Sequence, residues 1–124
     1  MTEPGWADRP GVYSLAAPAS AESVRDAAAV SGITVYAVPP VASKAEFLDA
    51  LVAALDFPPW FGRNWDAAAD LLADPVSLPA GRWVLLWIDP ERLRVDDPDA
   101  YQMAADILVA AAADGRLTVL LVDS

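Results

Sequence analysis

Four short runs of apolar and β-branched residues punctuate this chain, and each is separated from the next by a segment long enough to hold a helix. The runs are GVYSLAA from Gly11 to Ala17, ITVYAV from Ile33 to Val38, WVLLWI from Trp83 to Ile88 and LTVLLV from Leu117 to Val122. Valine, isoleucine, threonine and the aromatics suit a pleated backbone. Trp83 to Ile88 has no polar position, which is the pattern of a strand covered on both faces. Strands joined through helices run parallel, with right-handed crossovers. The expected order is β-α-β-α-α-β-α-β, an α/β fold on a small parallel sheet.

The intervening segments carry helix signals. Ser20 to Val30 places Val24, Ala27 and Ala28 on one face, and Gly32 stops it. Ser43 and Glu46 form S-x-x-E, a capping box for a helix whose Leu48, Leu51, Val52 and Leu55 share a face. Pro58 and Pro59 are expected to end that helix. Asn64 caps the next, which runs to about Ala73, and Pro75 to Gly81 is a loop. Asp97 followed by Pro98 opens a long helix with Tyr101, Ala104, Ala105, Leu108, Ala111 and Ala112 as its apolar stripe. Gly115 closes it. Residues 1–10, with two prolines and a glycine, read as a flexible N-terminal arm, and residues 11–124 as a single domain.

Composition narrows the function. The 124 residues contain no cysteine and no histidine. Disulfides, thiolate chemistry and histidine-based catalysis are therefore excluded, and a metal would need an all-oxygen site. No catalytic residue, metal or cofactor is expected. The hydrophobic share of 56% is largely alanine, and no apolar run is long enough to cross a bilayer. The first residues lack the basic and apolar regions of a signal peptide, so a cytoplasmic location is expected. Eight basic against eighteen acidic residues leave a net charge of −10. Such a surface repels nucleic acid and membranes of like charge, and attracts a basic protein.

The stretch PPWFGRNWD, Pro58 to Asp66, concentrates aromatic surface on a kinked segment. Gly62 allows a positive φ or a close backbone approach there. On a helical wheel started at Trp65, Ala68, Ala69 and Leu72 join it on the buried side, while Asp66, Asp70 and Asp74 form a second stripe. Like charges at this spacing slightly destabilise a helix, so local stability alone does not select them. An exposed ring beside such a face combines an apolar anchor with charge for a basic partner. Trp60 is expected at the surface, and Phe61 is expected to point inward.

The stretch KAEFLDALVAALDFPPWFGRNWDAAADLL resembles the barstar family, small intracellular inhibitors of secreted ribonucleases. The resemblance rests on a helix, Pro58, Trp60 and Phe61, then Gly62, Asn64 and Asp66, with Asp70 four residues on. It extends from about Ile33 to Ser124, and DGRLTVLLVDS also resembles the family's closing segment. It implies a barstar-like fold with three family strands, to which residues 11–31 add a strand and helix at the sheet edge; residues 33–124 form the family core. It further implies an inhibitor that covers a basic nuclease's active site, and a monomer is expected when the chain is free. Asp70 would be the chief plug of a substrate-phosphate pocket, supported by Asp66, with Trp60 as an aromatic contact. Phe61, Gly62, Arg63, Asn64, Ala69 and Asp74 complete the expected contact surface. The chain departs from the best-known member at Ala69, which stands for a tryptophan, and at Ala110, which stands for an acid. A second reading keeps the fold and the basic partner but not the nuclease. A third, an enzyme using Asp66 and Asp70 as paired carboxylates, is disfavoured because both lie on one helix face.

Overall fold

A computed structural model describes residues 6, 9–15, 19–58, 62, 64–74, 76, 78–115 and 117–123. The chain runs β1 (Gly11–Leu15), α1 (Ala21–Val30), β2 (Thr34–Val38), α2 (Lys44–Leu55), α3 (Trp65–Ala73), β3 (Trp83–Ile88), α4 (Pro90–Asp96), α5 (Pro98–Ala113) and β4 (Thr118–Val122). The four strands form one sheet in the order β1-β4-β3-β2, and every pairing is parallel. The sequence-based expectation of a small parallel α/β sheet therefore holds, with the added strand β1 on the edge beside β4.

Side chains of the two central strands alternate between two apolar layers, as the pleat requires. Leu85, Trp87 and Val119 face a large layer with Phe47, Leu48 and Leu51 of α2, Leu71 and Leu72 of α3, and Ala104 and Leu108 of α5. Val84, Leu86, Leu120 and Val122 face a smaller layer closed by Val24 and Ala28 of α1, Ile33 and Trp6. This explains the unbroken apolar run of β3: both of its faces are covered. The helix α1 leaves β1 at one edge and reaches β2 at the other, so it covers the second face rather than extending the edge. Trp6, in the segment read as an arm, is 8% exposed.

Three local readings need correction. A short helix, α4, precedes the long one. Its seven residues start with Pro90 at the helix opening and bury only Leu93, too little periodicity to register in the sequence. Arg94 donates to Glu91 and holds that carboxyl below the usual carboxylate range. Next, α2 stops at Leu55, before the prolines, because Asp56 turns into the left-handed region at φ 54°. At the start of α2, the Ser43 hydroxyl oxygen accepts from the Glu46 amide at 3.2 Å, and the hydroxyl donates to the Glu46 carboxylate at 3.3 Å. The reciprocal capping box instead opens α1, between Ser20 and Ser23. Among the described residues no helix is long and apolar enough to cross a membrane.

Candidate functional site

The start of α3 is built by Asn64. Its Oδ1 accepts from the Ala67 amide at 2.7 Å, filling one of the donors that a helix start leaves open. Its Nδ2 lies 3.4 Å from the Gly62 carbonyl oxygen, to which it donates. Gly62 does not use the left-handed region; a Cβ there would lie 3.0 Å from the side-chain Nδ2 of Asn64. Asn64→Ala is expected to cost about 1 kcal/mol of stability, the usual loss for a helix cap, as a urea melt would read.

Trp65 fastens this end of α3 to α2. Its ring lies 6.0 Å from that of Phe47, and Lys44 Nζ sits 5.7 Å from its centre. The buried side of α3 is then Ala68, Leu71 and Leu72. Trp65 itself is half-buried, and Ala69 is exposed. The wheel centred on Trp65 was thus rotated: the apolar side turns toward Leu71, and Ala69 joins the solvent face.

That solvent face carries Asp66, Ala69, Asp70 and Ala73, all exposed. Asp66 lies in the first turn, where the helix dipole favours an anion. Among the described residues no cation pairs with Asp66 or Asp70; two salt bridges, Arg92 to Asp96 and Arg94 to Glu91, lie on α4. Asp74 caps the C-terminal end of α3 in extended backbone, and its carboxylate accepts from the Val76 amide at 3.0 Å. The three aspartates are therefore not equivalent: Asp74 is tied to the turn that follows. Trp60, Phe61 and Arg63 lie outside the described residues.

Two further carboxylates share this surface, and the sequence reading did not single them out. Asp106 on α5 and Asp114 at its C-cap are exposed, and α5 packs beside α3. They stand four residues before and four after Ala110, so all three lie on one helix face. That spacing around Ala110 is the signal that could have found them. Between the two helices runs a groove of about 420 Å³, lined by Ala69, Asp70 and Ala73 from α3 and by Asp106, Ile107, Ala110, Ala111 and Asp114 from α5. Asp66 and Asp70 sit on successive turns of one open face rather than opposite each other.

A four-stranded parallel sheet flanked by helices, one of which presents exposed carboxylates to solvent, defines a small α/β protein. The chain belongs to the barstar family: the family model described as Barstar (barnase inhibitor) matches residues 34–122, more than half of its length. The match runs from β2 to β4 and includes α3 and α5, while β1 and α1 precede it. It is a family of inhibitors. A comparison with curated proteins finds no match.

Proposed function

We propose that this protein inhibits a basic nuclease, a ribonuclease, by laying the acidic face of α3 and the loop before it over the enzyme's active site. The observation that carries this reading is the pair Asp66 and Asp70, exposed on consecutive turns and without a cation partner among the described residues, within the span that matches the inhibitor family. A cleft that binds a phosphate backbone is lined with cations, and carboxylates held on a rigid helix can occupy the phosphate positions. In this reading Asp70 enters the pocket, Asp66 supports it, and Trp60 packs on the partner's surface. Phe61, Gly62, Arg63 and Asn64 shape the loop. The complex forms in the cytoplasm from a free monomer and needs no cofactor.

A basic partner that is not a nuclease is the second reading. It is favoured by Ala69 and Ala110, both exposed, which leave the surface without large side chains at its centre. Co-purification from the native cell, followed by a ribonuclease assay of the captured protein with and without added inhibitor, separates the two. A captured basic protein without nuclease activity would sink the first reading.

Association is expected to slow steeply with salt. A protein of charge −10 gains on-rate from long-range attraction to a basic cleft. The screening length falls from about 10 Å at 0.1 M salt to about 3 Å at 1 M. A stopped-flow on-rate that stays flat across that range would show that charge does not guide the encounter.

A further inference from the structure

At the end of the sheet where the strands begin, β2, β3 and β4 border a small cavity, and the segment before β1 closes one side of it. Its volume is about 180 Å³. None of its lining residues belongs to α3 or α5, and Trp6, Arg9 and Ile33 precede the span that the family model matches. The wall divides by exposure. Trp6, Ile33, Val84 and Leu117 are buried, whereas Arg9 and Arg82 are exposed. The inner part is therefore apolar and the rim cationic, against a net charge of −10 for the whole chain.

The wall is held from outside the cavity. Arg82 donates to the Ser31 carbonyl at 3.0 Å, and the Tyr13 hydroxyl donates to the Arg9 carbonyl at 2.9 Å. The Trp83 ring meets Tyr36 edge to face, with centroids 5.7 Å apart. Trp6 is packed into the layer beneath α1. A wall fixed in this way loses little freedom when a ligand arrives.

Size and polarity together select the ligand. About 150 Å³ of apolar space holds one benzene ring, and pockets for drug-sized molecules begin at about 300 Å³, so a nucleotide is too large. A bare inorganic anion would meet the arginines but leave the inner wall wet. A neutral ring would cover that wall but give the guanidinium heads nothing to bind. A single ring bearing a carboxylate satisfies both, because a guanidinium matches the planar carboxylate and indoles favour a flat neighbour. We propose that this cavity binds a small aromatic carboxylate, with its ring inward against Trp6, Trp83 and Leu117 and its carboxylate outward at Arg9 and Arg82. The site shares no residue with the partner-binding face proposed for α3, so neither reading depends on the other.

The probe is sodium benzoate, titrated into the ¹⁵N-labelled full chain at constant pH and ionic strength. Benzamide and acetate serve as comparisons. Saturable shifts are expected at the amides of Ile33, Val84 and Thr118 and at the indole N–H groups of Trp6 and Trp83. Benzamide, which keeps the ring and loses the charge, should bind roughly fivefold more weakly, the upper end for an exposed ion pair. Acetate, which keeps the charge and loses the ring, should bind more weakly still. Arg82→Gln also removes the bond to Ser31, so the exposed Arg9 carries the mutational test. Arg9→Gln should bring benzoate down to the level of benzamide and leave benzamide unchanged, and Arg9→Lys should restore part of the difference. Absence of saturable shifts, or shifts spread over the whole surface, would overturn the proposal. So would benzamide or acetate binding as tightly as benzoate, or benzoate binding unchanged by Arg9→Gln.

Discussion

Deleting residues 1–31 is expected to abolish the soluble, folded protein, although the family match begins only at residue 34. Without α1, the face formed by Val84, Leu86, Leu120 and Val122, now 0–2% exposed, meets water. A contiguous apolar sheet face of that kind drives association between copies. The deletion also removes β1 and so opens the edge of β4, a ready template for further pairing. Soluble yield and near-ultraviolet circular dichroism would read the result. A milder test is Val24→Asp, which places a charge at a position 3% exposed in the same layer. It is expected to cost about 3–5 kcal/mol, the usual loss for an uncompensated buried charge. That is a large part of the total stability of a domain of this size. If the deleted protein is soluble and cooperative in a urea melt, α1 is an appendage rather than half of the core.

Asp70→Ala is expected to weaken binding to the cognate partner far more than Asp74→Ala. Truncating one member of a desolvated, hydrogen-bonded charge pair costs roughly 2–5 kcal/mol, a range that draws partly on members of this family. Rim charges cost much less. Asp70 faces the groove at the middle of α3, whereas Asp74 caps the end of the helix and serves the Val76 amide. Because Asp74→Ala also removes that local contact, each variant's stability should be measured by urea melt beside its titration. Equal losses of affinity from two folded variants would move the centre of the interface away from Asp70.

Much of this architecture is legible in the sequence where one physical signal acts alone. Asn64 and Asp97 announce their helices because a side-chain oxygen at a helix start has one task, and each accepts from the amide three residues on. The strand from Trp83 to Ile88 is delimited by polar or bend-forming neighbours and has no competing period. Legibility fails where tertiary packing decides. Nothing local distinguishes Ala69 from Ala68; which alanine is buried depends on how Trp65 leans on Phe47. The helix α4 has a single buried residue, so its pattern is silent until β3 and α5 are in place. Asp106 and Asp114 become part of a site only because α5 packs beside α3, a contact between segments some forty residues apart. The role of α1 was hidden for the same reason. Its apolar face is plain, but the surface it covers is assembled from β3 and β4.

The placement of β4 between β3 and β1 also bears on how the chain reaches its native state. The strand β1 pairs only with β4, so Gly11 waits for Thr118, more than a hundred positions later. A contact of such long sequence separation closes late and slowly. The strands β2 and β3 can pair earlier, since neither needs β4 to find the other. During synthesis β1 therefore remains an unpaired edge until β4 has been made. Pulse-labelled hydrogen exchange during refolding should find the amides of β1 protected together with those of β4, after those of β2 and β3.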